Sequence, residues 1–287
     1  MEYFFGAKAG SFYKRNIQYE NNQKNRGGAS PMEFLTLPER TKGIRTNGIT
    51  SVADFGTPMG ELDHILADYG HIIDIAKMGI GSAYVTPNIK DKVKLYKEYN
   101  IRPYCGGTLF EKCYYQNKIA EYQTYLYQLG IEWVEISNGT LDIPIEERLN
   151  MIALFREDFH VIAEVGSKDA NKEMSESKWK EEMKLLFDAG CEYVITEGRD
   201  SGTAGIYEKS GEIKSNLIHE LIKDFDCNKI IFEAPTAKHQ MYFIKEIGPN
   251  VNLGNVKLND VLVLEAQRCG LRSETFFLEE SECKLLL

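Results

Sequence analysis

The sequence predicts an α/β protein of a single (β/α)8 barrel, and three observations carry that prediction. Short, β-branched apolar runs recur roughly every 25 to 35 residues from Ile49 onward, the spacing of strand-helix units in such a barrel. Nearly every run ends on a charged or polar residue and a glycine or turn, and a helix-patterned segment follows it. The length of 287 residues suits one large domain, since barrels of this class run to about 250 residues.

The stretch 161–168, V-I-A-E-V-G-S-K, shows the unit most clearly: an apolar run with Glu164 inside it, a glycine at its end and Lys168 just beyond. A carboxylate in a buried strand is costly unless it is paired or metal-bound, so Glu164 needs a partner. In chain order the strands are expected at 49–56, 71–77, 101–108, 133–137, 161–166, 192–197, 229–235 and 250–255. Helical spacing follows the first at 59–69 and the second at 89–99, and one long helix is expected to run through Leu129. Pro144 is placed to open the next helix, and Gly190 to close the one over 175–189. A last helix runs through Cys269. Residues 1–40, polar and aromatic without periodicity, read as an N-terminal arm; 41–276 form the barrel, and 277–287 a C-terminal tail.

Composition narrows the function. A net charge of -9 argues against a nucleic-acid binder, whose affinity for phosphates rests on a basic surface. No apolar run reaches the roughly 18 residues of a membrane span, and the N-terminus has no signal-peptide core, so a cytoplasmic protein is expected. The six cysteines are scattered with no C-x-x-C pair and read as free thiols.

In this fold, chemistry gathers at the C-terminal ends of the strands. Those ends carry Asp54, Lys77, Thr108 with Glu111, Glu135 with Ser137, Glu164 with Lys168, Glu197 with Arg199, Glu233, and Asn252 with Asn255. Four glutamates at one mouth would repel one another unless basic side chains or a hard cation such as Mg²⁺ neutralised them. Lys77, Lys168 and Arg199 supply the opposite sign, which suits a small anionic ligand; internal pairing of acids with bases is the alternative. For a phosphate, the run G-P-N-V-N-L-G-N (248–255) offers the N–H groups of Gly254 and Asn255, with Arg268 and Arg272 near in sequence. K-M-G-I-G-S (77–82) is a second candidate. The five histidines do not form a metal set, and Cys105 reads as a buried apolar filler.

Several runs together resemble the phosphosulfolactate synthase family: D-F-G (54–56), D-I-A-K-M-G-I-G-S (74–82), G-G-T-L-F-E (106–111), V-E-I-S-N-G (134–139), E-V-G-S-K (164–168), E-G-R-D-S-G (197–202), F-E-A-P (232–235), N-L-G-N (252–255) and E-A-Q-R-C-G-L-R (265–272). The resemblance covers roughly 40–276 and implies a Mg²⁺-dependent barrel enzyme that adds sulfite to phosphoenolpyruvate, giving 2-phospho-3-sulfolactate, and a homo-oligomer. It implies Lys168 as the acid that protonates C2, with Lys77, Arg45 and Arg199 holding sulfite or phosphate. Ser137, Gly254, Asn255 and Arg272 complete the expected substrate contacts. Metal held by Glu135, Glu164 and Glu197 would stabilise the enediolate. Three positions depart from the family pattern: G-I-R (43–45) lacks the lysine before the arginine, Asn138 replaces an acid, and E-G-R-D-S-G replaces E-A-R-E-S-G.

Two other readings compete. A Schiff-base aldolase needs a neutral lysine, which the surrounding carboxylates oppose. A non-catalytic binding or stress-protective protein on the same barrel would have lost its mouth residues, and nearly all are present.

Overall fold

The computed structural model describes residues 34–169, 171 and 173–278. The expected arm lies outside the described residues up to position 33, as does the expected tail from 279 onward.

Eight parallel strands close into a barrel in sequence order, β1 (Thr50–Asp54), β2 (Ile75–Met78), β3 (Arg102–Cys105), β4 (Trp133–Ile136), β5 (His160–Val165), β6 (Tyr193–Thr196), β7 (Ile230–Glu233) and β8 (Leu253–Lys257). Ten helices accompany them among the described residues: α1 (Met59–Tyr69), α2 (Ser82–Val85), α3 (Ile89–Glu98), α4 (Gly107–Tyr115), α5 (Ile119–Leu129), α6 (Ile145–Phe155), α7 (Glu176–Asp188), α8 (Ser215–Asp224), α9 (Ala237–Ile247) and α10 (Val261–Arg268). No helix among the described residues is long and apolar enough to cross a membrane.

Side-chain alternation along each strand makes two cores. Val52, Ala76, Val134, Ala163, Val194 and Phe232 point outward and meet the helices. Ile49, Ile75, Tyr104, Trp133, Ile162, Tyr193, Ile195 and Ile231 point inward and fill the lumen. Each fully buried aliphatic side chain is worth about 1.5–3 kcal/mol, so this packing rather than any polar contact holds the barrel together.

The helices start where local chemistry favours it. Ser175 accepts a hydrogen bond from the Lys178 N–H at the head of α7, and Thr236 does the same for His239 at the head of α9. Pro144 precedes α6, whose first turn carries Glu146 and Glu147. Trp179, Met183 and Leu186 form the buried stripe of α7.

Three element expectations are corrected. The second strand starts at Ile75 rather than 71, because Gly70–Ile72 form a 3-10 turn. The long helix ending at Leu129 is two helices, because Asn117 takes a left-handed backbone (φ 56°) and Lys118 N turns back to the Cys113 carbonyl. The eighth strand starts at Leu253 rather than 250, which moves Asn252 off the mouth. Asn252 sits below the strand, accepting from Ile49 N and donating to the carbonyls of Asn228 and Ile230.

The N-terminal end of the barrel is a polar floor. Arg40 pairs with Glu265 (3.0 Å) and donates to the Pro249 and Gly48 carbonyls. Arg268 donates to the carbonyls of Pro249, Val251 and Ile49. Arg45 and Asp74 form a buried pair at 2.9 Å, and Asp74 also accepts from Thr50 N at the start of β1.

Candidate active site

At the opposite end the lumen changes from apolar to charged within one step along each strand. Lys77 follows Ile75 on the inner face of β2, Glu135 follows Trp133 on β4, Glu164 follows Ile162 on β5, Glu197 follows Ile195 after β6, and Glu233 follows Ile231 on β7. Strand period two and a common strand direction therefore bring all five to the mouth end of the lumen, at successive levels.

Lys77 Nζ lies 3.1 Å from Glu135 Oε2, 3.3 Å from Glu233 Oε1 and 3.9 Å from Glu164 Oε2. Lys168, just past β5, places its Nζ 3.8 Å from Glu164 Oε1 and 3.7 Å from Glu197 Oε2. Ser137 donates to Glu164 Oε1 at 2.9 Å, and Glu233 Oε2 accepts from Gly198 N at 2.9 Å. Glycine is required twice at this mouth. A side chain at Gly107 would strike Glu135 and Ser137, and one at Gly139 would strike Lys168 and Glu164.

Burial and charge act in opposition here. Burial alone would lower the Lys77 pKa, but Glu135, Glu233 and Glu164 together hold it well above the usual lysine range. Lys168 behaves likewise: Glu164 and Glu197 outweigh its burial and raise it. Both amines are therefore ammonium ions at neutral pH. Burial would raise Glu164, yet Lys168, Lys77 and the Ser137 hydrogen bond take it down to about 2. Glu197 goes the other way, pushed well up by burial and by the charges of Glu164 and Glu233. Glu135 is raised by burial against the pull of Lys77.

Four carboxylates against two ammoniums leave this mouth with an excess of negative charge, even with a proton on Glu197. Both oxygens of Glu135, Oε2 of Glu164 and Oε2 of Glu197 are buried and accept no hydrogen bond of good geometry. Among the described residues no three side chains form a ready-made metal cage. The orphaned oxygens nevertheless fit a hard cation of the Mg²⁺ type, which usually takes one or two carboxylates and completes its shell with water and substrate oxygens.

The structure thus brings Lys77, Lys168, Glu135, Glu164, Glu197 and Ser137 together. Much of the acid-base pairing foreseen as an alternative is present as well, since both lysines sit among carboxylates. Arg199 is at the rim, with a left-handed backbone (φ 58°) and a side chain 51% exposed beside Asp200; only its N–H reaches inward, to Glu197 Oε1. Gly254 lies in the β8 ladder against Glu233, where its missing side chain makes room for Ile231. Asn255 is half-buried at the step where the register of β8 on β1 shifts, with φ 53°.

Two expected substrate contacts are elsewhere. Arg45 precedes β1 and Arg272 follows α10, and both positions belong to the floor because every strand runs from floor to mouth. Arg45 is committed to Asp74, and Arg272 stands 3.8 Å from Glu274. Three further groups are structural. Asp54 accepts from Lys92 (2.8 Å), Tyr96 and the N–H groups of Gly56 and Thr57, tying β1 to α3. Glu111 accepts from Thr140 and Leu141 N, and Asn138 from Ile143 N, so both fix the loop after β4. Burial pushes the Cys105 thiol up to about 12, which keeps it an unreactive filler.

Tyr104 was not foreseen. It stands on β3 in register with Lys77, and burial and the Glu135 charge keep its hydroxyl protonated. Its inward parity, two residues beyond Arg102, was the available signal.

Comparison with known proteins identifies the family. Residues 38–274 match the family model described as (2R)-phospho-3-sulfolactate synthase (ComA). The chain is 42% identical to the phosphosulfolactate synthase of Bacillus subtilis (strain 168) over 247 residues, 85% of this chain and 98% of that protein. It is 40% identical to the phosphosulfolactate synthase of Methanocaldococcus jannaschii over 235 residues, 80% and 94% of the two. With the one from Methanothermobacter thermautotrophicus, identity is 38% over 254 residues, 85% and 96%. A barrel whose charged mouth is intact, matched to this depth along nearly its whole described length, belongs to the phosphosulfolactate synthase family of enzymes.

Proposed function

We propose that this enzyme adds sulfite to C3 of phosphoenolpyruvate to give (2R)-2-phospho-3-sulfolactate, with Lys168 as the acid. The observation that carries the reading is the pair of lysines, Lys77 and Lys168, set among Glu135, Glu164, Glu197 and Glu233 at one mouth of a family member.

The sulfur lone pair forms the new C–S bond at C3, and the C2–C3 π electrons move onto the substrate carboxylate as an enediolate. Lys168 then gives its proton to C2, the electrons return from the carboxylate, and the resulting amine is recharged from solvent. The elevated proton affinity of Lys168 keeps it loaded before each turnover. Lys77, fixed by three carboxylates, offers the developing negative charge an ammonium that needs no reorganisation. A Schiff base is disfavoured, because neither amine is neutral.

Mg²⁺ belongs to the proposal as well, with Glu135, Glu164 and Glu197 as the residues that would hold it. It would supply the positive charge that offsets the acidic mouth and stabilises the enediolate. No two of the five described cysteines are joined in a disulfide, which favours the reducing cytoplasm, and a homo-oligomer is expected from the family.

Phosphorus NMR of the purified protein with phosphoenolpyruvate, sulfite and Mg²⁺, repeated with EDTA, tests the reading. A new phosphate ester resonance that requires both sulfite and metal is the expected result. Unchanged phosphoenolpyruvate in the complete mixture would overturn it.

A further inference from the structure

The mouth as described leaves the phosphate end of such a substrate with one basic side chain at most, Arg199, which stands at the rim beside Asp200. Arg45 and Arg272 are on the floor, and Lys77 and Lys168 are committed to carboxylates. We propose that Lys257, at the end of β8, is the phosphate-binding residue. This assignment rests on the phosphoenolpyruvate reading above and names the subsite within it.

The register of the barrel places Lys257. It pairs with Ala53 of β1, which pairs in turn with Lys77 of β2. Neighbours in register share a face, and the preceding pair, Val52 and Val256, packs into the outer core. Lys257, Ala53 and Lys77 therefore form one row on the lumen side. The α-carbons of the two lysines are two strand spacings apart, about 10 Å, and the residue between them contributes only a methyl group.

That small residue leaves space. A cavity of about 280 Å³ opens over it, lined by Ala53, Phe55, Thr57, Lys257 and Asn259, with exposed Glu61 as its one acid. Lys257 has no ion-pair partner among the described residues, unlike the other two lysines of the mouth. The place is electrostatically distinct too. β1 stands diametrically opposite β5, which carries Glu164, so this rim is the part of the mouth farthest from the carboxylates of β4 to β6. The nearest mouth carboxylate is Glu233, on β7 beside β8, and its Oε1 faces Lys77 at 3.3 Å. The short 3-10 turn over Leu258–Asp260 follows at once, and phosphate groups in this fold are often held by the loops after the last two strands and a short extra helix.

The experiment compares wild type, Lys257→Ala, Lys257→Gln and Lys257→Arg in steady-state kinetics against phosphoenolpyruvate, with inorganic phosphate as a competing ligand. Losing one charged contact to phosphate should raise KM about tenfold or more in the alanine and glutamine variants, with a far smaller change in kcat. Inhibition by inorganic phosphate should weaken by the same factor, and the arginine variant should recover most of both. KM and phosphate inhibition within twofold of wild type in the alanine variant would overturn the assignment. Thermal midpoints check that the variants fold, as expected for an exposed side chain. If wild type forms no phosphosulfolactate, the reaction reading fails, and calorimetric titration with inorganic phosphate still decides the subsite: binding lost in Lys257→Ala supports it, and equal binding rejects it.

Discussion

Glu164 and Glu197, projecting from neighbouring strands, share one cation, Lys168, whose Nζ lies 3.8 Å from the first and 3.7 Å from the second, and of the two carboxyls Glu197 is the one that holds its proton more tightly. The assignment follows from position. Glu164 has Lys168, Lys77 and Ser137 around it, whereas Glu197 faces two other carboxylates with Lys168 as its one near cation.

A carboxyl whose folded pKa is raised contributes stability below its unfolded value, and that contribution is lost as pH rises through the folded value. Glu197→Gln keeps the neutral shape without the titration. The variant should match wild type in urea midpoint at pH 4 and exceed it at pH 8. Equal midpoints at both pH values would mean that Glu197 is ionised in the folded protein.

Glu164 has the opposite sign. Its folded pKa, about 2, lies below the ordinary glutamate value of 4.5, so its contribution is present above pH 4.5 and disappears as pH falls toward 2. Replacing Glu164 by Gln should cost on the order of 3 kcal/mol at pH 7, with the deficit shrinking steadily below pH 4.5. Urea titrations across pH 3 to 7 read this out, and a deficit independent of pH would contradict it.

Lys168→Ala should lower kcat by about 10²- to 10⁴-fold, the usual worth of a positioned acid, while circular dichroism shows an intact barrel. Turnover within tenfold of wild type would remove Lys168 from the mechanism. The side chain is 27% exposed, so its removal opens the mouth to water rather than leaving a cavity in the core.

On the floor, Arg45→Met should destabilise by about 3 kcal/mol, because Asp74 is left as an unpaired buried charge. Its kcat and KM, measured at a temperature where the variant is folded, should stay within twofold of wild type. A KM rise of tenfold without loss of stability would put Arg45 back in the substrate site.

The difference between the floor and the mouth explains what was readable in the sequence. Strand runs that end on a charge locate the mouth by parity, since two steps from a buried isoleucine return to the lumen; Lys77, Glu164, Glu197 and Glu233 were legible on that ground. Asp54 was not, because it sits one step out of phase and turns to Lys92 and α3 instead. Arg272 misled because nearness in sequence to a glycine-rich run does not say which end of the barrel it faces, and Arg45 because the family resemblance that named it does not say so either. Arg45 stands before a strand and Arg272 after a helix, and both positions are floor positions once all strands run the same way. The break at Asn117 and the late start of β8 depend on backbone geometry that apolar periodicity does not report.

The seam between β1 and β8 is fastened by partners from the two ends of the chain: Arg40 to Glu265, Arg268 to Ile49, and Asn252 to Ile49. During synthesis none of these bonds can form until β8 has left the ribosome. Until then β1 and β7 both present unpaired edges, the kind of template on which nascent chains associate wrongly. The row that links Lys257 to Lys77 through Ala53 is completed by the same event. Closing the ring and completing that row are therefore one step, and a chain stalled before residue 257 has neither.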